Sequence, residues 1–130
     1  MENNYRILRA GEREILLIIG EDNTLRECSA RYGLVKKGET SKAIDYERDL
    51  NRDLIGRPIE TEQGYKPDIV KFRFYRSASK IEILQGPKNA KIETPSLERV
   101  TKLLDKMGDE LETESYKERR KERRQRLKRD

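Results

Sequence analysis

The sequence predicts an α+β domain: a small, mostly antiparallel sheet with one central helix, and a C-terminal amphipathic helix that continues into a basic extension. Three observations carry this. Short apolar runs broken by Gly-, Asn- and Pro-containing clusters recur along most of the chain, as in a strand meander. Around Tyr46 and around Leu104 the apolar residues instead return every three or four positions, the period of a helix. The charge is also divided. Residues 117–130 hold nine Lys or Arg and three Asp or Glu, a net of +6, whereas residues 1–116 hold 21 basic and 22 acidic groups, a net of −1. The formal +5 of the 130-residue chain thus belongs to its last fourteen residues.

Taken in order, Tyr5–Arg9 and Glu14–Ile19 flank Ala10-Gly11-Glu12-Arg13 and predict a hairpin. Gly20-Glu21-Asp22-Asn23 is a turn cluster, because Gly and Asn tolerate positive φ and Asp can bond its own backbone. Leu25–Tyr32 fits two patterns: Cys28, Ala30 and Tyr32 alternate as in a strand, while Leu25, Cys28 and Tyr32 share a helical face. A strand is favoured, since a four-residue turn naturally continues a meander. Thr40 or Ser41 then caps the central helix, with Ala43, Tyr46, Leu50 and Leu54 on one face and Gly56 and Pro58 ending it.

Beyond it, Ile69–Arg76 and Lys80–Gln85 read as strands joined by Ser77-Ala78-Ser79, and Gly86-Pro87-Lys88-Asn89 turns into a short strand at Ala90–Glu93. Thr94-Pro95 opens the last helix, a capping residue followed by Pro where its missing N–H does no harm. Leu97, Val100, Leu104, Met107 and Leu111 form a heptad-like seam that stops where Glu114 and Glu118 would follow. The folded domain is therefore expected over residues 1–112, with 113–130 as a charged, Arg-rich extension, disordered or conditionally helical.

Composition excludes several function classes. The chain has no His, which removes Ser/His and Cys/His dyads, imidazole metal ligands and a His general base. Cys28 is the lone cysteine, so no intrachain disulfide forms, and its apolar neighbours mark it as a buried structural thiol. The longest apolar run, Ile15–Ile19, is far too short to span a bilayer. The N-terminal residues lack the pattern of a secretory signal, so the expectation is a soluble cytoplasmic protein that does not engage membrane. Gly33–Gly38 has the GxxxxG spacing, but Glu39-Thr40 follows where a phosphate-binding loop needs Lys-Ser/Thr. Asp45, Asp49 and Asp53 would share a helix face suited to a divalent cation, yet the interspersed Arg48 and Arg52 make ion pairing the simpler explanation. Asp68 lacks the acid-x-Lys partner of many nucleases. No enzyme activity, cofactor or metal is expected.

The binding candidates are cationic. In the extension they are Lys117, Arg119, Arg120, Lys121, Arg123, Arg124, Arg126, Lys128 and Arg129. Arg119–Arg123, Arg120–Arg124 and Arg124–Lys128 oppose helix formation in isolation, and basic side chains surround the axis, so no apolar face can dock on a core. A polyanion would neutralise such a segment, and its six Arg suit bidentate phosphate contact. Asp109, Glu110, Glu112 and Glu114 form an acidic block just upstream, beside Gly108 as a candidate hinge. On the strand Ile69–Arg76, alternation sends Val70, Phe72 and Phe74 to one face and Lys71, Arg73 and Tyr75 to the other. Two cations and an aromatic there can contact phosphate and stack a base, with Arg76 and Lys80 extending the patch. The expected function is non-catalytic nucleic-acid binding, RNA ahead of DNA. The alternative is a small assembly or adaptor subunit whose tail enters an acidic protein groove. A homodimer through the five-residue helical seam is a further expectation.

Overall fold

The run Glu14–Ile19 is apolar on both alternating faces, which is what a strand needs when it is covered on both sides. In a computed structural model, which describes residues 3–28, 33–53 and 56–111 (the side chains of 109–111 excepted), this run is the middle of three layers. Strands β1 (Tyr5–Ala10), β2 (Arg13–Ile19), β3 (Leu25–Glu27) and β8 (Ala90–Glu93) form a first antiparallel sheet in the order β3-β2-β1-β8. Strands β4 (Leu34–Glu39), β5 (Ala43–Asp49), β6 (Ile69–Tyr75) and β7 (Lys80–Gln85) form a second, in the order β4-β5-β6-β7. Helix α1 (Leu97–Leu111) lies on the outer face of the first sheet.

The expected hairpin forms, with Ala10 opposite Arg13 and Gly11 at φ 64°, the position that favours Gly in a two-residue hairpin turn. Leu8, Ala10, Ile15, Leu17, Ile19 and Leu25 face the second sheet and meet Ile44, Tyr46, Val70, Phe72 and Phe74 in the main core. On the opposite face, Ile7 and Leu16 meet Val100 of α1. Tyr46 and Phe72, opposite each other on β5 and β6, stack with ring centroids 5.8 Å apart. Of the predicted strand over 25–32, β3 takes only Leu25–Glu27, and residues 29–32 lie outside the described residues.

The central helix expected over 43–54 does not exist; β4 and β5 form a hairpin in its place. Thr40, read as a helix cap, caps a turn instead. Its Oγ1 accepts hydrogen bonds from the N–H groups of Lys42 (3.3 Å) and Ala43 (3.1 Å), the same local chemistry in a different backbone. The true period of β5 is two, with Ile44, Tyr46 and Arg48 facing inward. A charged third member hid that alternation, and the helical spacing of Ala43, Tyr46 and Leu50 was coincidental.

The last helix is correctly placed, but its cap is Ser96 and not Thr94. Ser96 Oγ accepts from Arg99 N at 3.2 Å, and Pro95 precedes the cap, its carbonyl accepting from the Asn3 side chain. The helix also sits rotated from the predicted seam. Val100 is buried, with Leu103 and Met107 packed beside it, whereas Leu97 and Leu104 are 54% and 40% exposed. No helix among the described residues is long and apolar enough to cross a membrane. Among the described residues the four sheet edges are irregular or short: β3 and β8 have three and four residues, β4 shifts register between Lys36 and Gly38, and the β6–β7 ladder shifts between Lys71 and Phe72.

Candidate nucleic-acid interface

Alternation along β6 delivers the predicted faces. Val70, Phe72 and Phe74 are fully buried, while Lys71, Arg73 and Tyr75 are brought together on the outer face of the second sheet. The neighbouring strand changes what they can do. Register sets Asp45 of β5 opposite Arg73 and Glu47 opposite Lys71, so an acidic column runs beside the basic one. Arg73 grips Asp45 through two parallel bonds, Nε to Oδ1 at 2.7 Å and Nη2 to Oδ2 at 3.1 Å. Lys71 and Lys37 flank Glu47 at 3.6 and 3.7 Å, and Tyr75 Oη lies 3.4 Å from Glu82.

These contacts shift both partners. The hydrogen bonds from Arg73 hold the Asp45 carboxyl below its ordinary value, and Asp45 in turn raises Arg73. Both side chains remain more than a third exposed, so solvent screening leaves the pair little weight in stability. Its consequence for binding is larger: a phosphate approaching Arg73 or Lys71 must displace a carboxylate already in place. The outer face is therefore a charge-balanced ladder, with Val35, Ile69 and Leu84 partly exposed. The nine candidate residues of the extension, Lys117 to Arg129, lie outside the described residues, as do Glu112 and Glu114. Gly108 lies exposed within α1, and a Cβ there would meet nothing within 4 Å.

The acidic candidates are also accounted for. Asp45, Asp49 and Asp53 do not share a helix face, because β5 is a strand. Asp49 accepts hydrogen bonds from Asn51 N at 3.0 Å, from Asp68 N at 2.9 Å and from the Tyr65 hydroxyl, while Asp53 pairs with Arg57 at 2.8 Å. Asp68 pairs with Arg13 at 2.9 Å. Among the described residues no group of three or more His, Cys, Asp or Glu could hold a metal ion. Cys28 is half-buried, and burial, reinforced by the charge of Glu27, pushes its thiol up to about 11. The residues Gly33–Gly38 form the approach and body of β4 instead of a phosphate-cradling loop.

Sequence reasoning missed the most buried polar feature. The side chains of Arg48 and Glu27 are each only 2% exposed and form a bidentate pair between the sheets, Nε to Oε1 at 2.6 Å and Nη2 to Oε2 at 3.1 Å. The remaining Arg48 nitrogen donates to the carbonyls of Asp49 and Arg52. Gly33 covers the pair so closely that a Cβ would fall 2.5 Å from Glu27 Oε1 and 2.7 Å from Arg48 Nε. Nearby, the Tyr46 hydroxyl accepts from Leu25 N at 3.1 Å and ties the sheets a second time. The signal was available only conditionally: once 43–49 is taken as a strand, Arg48 falls in the inward row with Ile44 and Tyr46 and demands a buried acid.

No protein-family model matches the chain, and no curated protein or solved structure matches it either.

Proposed function

We propose that the protein is a non-catalytic nucleic-acid-binding protein, RNA ahead of DNA, which engages phosphates through its basic C-terminal arm. The observation that carries this reading is the separation of charge. Residues 117–130 hold a net +6, while residues 1–116 hold a net −1. Within the body, Lys71 and Arg73 already face Glu47 and Asp45, so the outer sheet face is a poor competitor for phosphate. Arg119, Arg120, Arg123, Arg124 and Arg126 are the proposed main contacts. Helix α1, the last described element before the arm, packs on the first sheet through Val100.

The test is equilibrium binding of the full chain and of residues 1–115 to RNA and DNA oligonucleotides across a salt series. About six phosphate contacts to single-stranded RNA give a log–log salt slope near −4, or a loss of about 300-fold between 50 and 200 mM salt. The truncated chain should lose most of that slope. If both chains bind weakly and alike with no salt slope, the reading fails, and an acidic protein surface becomes the better partner for the arm.

A further inference from the structure

Helix α1 carries two neighbouring rows of residues at the spacing of a helix seam. Val100, Leu103 and Met107, separated by three and four, pack against the first sheet. Leu97, Thr101, Leu104 and Gly108, separated by four, three and four, form a second row beside it and are all exposed. A single helix thus brings these four onto one surface by its own periodicity. The row alternates a large side chain with a small one, the relief into which leucines of a second helix can insert.

Gly108 is the less expected member. Gly is unfavourable inside a helix, and nothing in the described fold calls for it: its φ is not positive, and a Cβ would meet nothing within 4 Å. A backbone approaching closely from outside the chain gives a reason for a residue without a side chain at this place.

Charge selects the occupant. Glu98 and Asp105 each follow a leucine of the row and border it on its solvent side, while Lys102 and Lys106 lie farther round the helix. Glu98 meets Lys102 at 3.4 Å in a largely exposed pair, and Asp105 has no ion-pair partner among the described residues. A second copy of α1 laid antiparallel in the row would set this acidic border against itself, and laid parallel would press it toward the other copy's sheet. The chain's own residues 113–130 have the right charge, but Tyr116 and Leu127 are their only apolar side chains.

We infer that this row is a docking site for an amphipathic helix of a partner protein, with leucines to fill the row and Lys or Arg along the edge that meets Glu98 and Asp105. The inference stands apart from the nucleic-acid reading, since it uses α1 and not the arm.

The experiment uses the full-length protein and a fluorescent three-heptad peptide at nanomolar concentration, with Leu at its a and d positions and Lys at e and g, beside the same peptide carrying Gln in place of Lys. Fluorescence anisotropy should show the Lys peptide binding more tightly than the Gln peptide. Leu97→Gln/Leu104→Gln should weaken both at least about tenfold, and Glu98→Gln/Asp105→Asn should weaken the Lys peptide alone, about fivefold. These two double variants alter exposed residues and should keep the urea midpoint of wild type. Gly108→Leu adds bulk where the fold has room and should also weaken both peptides at least about tenfold, which decides the matter if the leucine variant is destabilised. Binding that is absent, equal for the two peptides, or indifferent to the leucine and Gly108 substitutions overturns the docking site. So does a dimer of the protein alone that Leu97→Gln/Leu104→Gln dissociates, which would put a second copy in the row.

Discussion

Replacing Glu27 by Ala should be among the most damaging single changes in this protein, more so than deleting many core methyl groups. Arg48 would keep its two carbonyl acceptors but lose both bonds from Nε and Nη2, at a site where its side chain is 2% exposed. Breaking a buried ion pair from one side costs about 3–5 kcal/mol, because the remaining charge is left buried without its counter-charge. Against a total stability of about 5–15 kcal/mol for a domain, that is a large share. A loss of about 3 kcal/mol would lower Tm by about 12–24 °C in a domain of this size. Urea denaturation followed by far-UV circular dichroism and tyrosine fluorescence measures it; the chain has six Tyr and no Trp, and urea does not screen ion pairs. Gly33→Ala supplies the internal check. Its Cβ would strike Glu27 Oε1, so removing the carboxylate also removes much of the clash, and the Gly33→Ala/Glu27→Ala double variant should lose at least about 1 kcal/mol less than the sum of the singles. Glu27→Leu combined with Arg48→Met should recover most of the stability, as apolar replacements of whole buried pairs do. A Glu27→Ala loss below about 1 kcal/mol, or strict additivity with Gly33→Ala, would refute the reasoning.

Three further outcomes follow from contacts already described. Tyr46→Phe leaves the buried Leu25 N–H without its acceptor and should cost about 1–3 kcal/mol in the same urea assay. At pH 8 the native Cys28 thiol should react with an aromatic disulfide reagent about a hundredfold more slowly than the unfolded chain, since burial raises it to about 11; equal rates would show an accessible thiolate. Asp45 and Glu93 are both held below their ordinary values, chiefly by hydrogen bonds from Arg73 and Arg9. Their contribution is therefore present above the unfolded values of 3.8 and 4.5 and is lost as pH falls through the lower folded ones. Asp45→Asn/Glu93→Gln should flatten the stability profile below about pH 4.5, and an unchanged acid limb would contradict this.

What could be read from the sequence depended on whether alternation was spelled in apolar residues. Strand β6 spells it plainly with Val70, Phe72 and Phe74, and its boundaries and faces were predicted nearly to the residue. Strand β5 spells it as Ile44, Tyr46 and Arg48, and the charge in third place made a helical period look better. Strand β4 gave no signal, because only Leu34 of its residues packs against the core. The candidate site divides in the same manner. Periodicity put Lys71, Arg73 and Tyr75 on one face, but their carboxylate partners came from a strand that had been misread as a helix. Pairing between distant strands is a property of register, and register is fixed by the assembled sheets.

The ragged margins of the two sheets bear on how copies of this protein behave when crowded. A polyanion that collected many arms would raise the local concentration of bodies far above that in bulk solution, the circumstance in which open strand edges recruit one another. Here the first sheet ends on strands of three and four residues, and both borders of the second are interrupted by a register shift. Short or bulged margins give an incoming strand too few aligned N–H and C=O groups to extend the ladder. Bodies packed side by side on one polymer would remain separate particles, each free to leave when its own arm lets go.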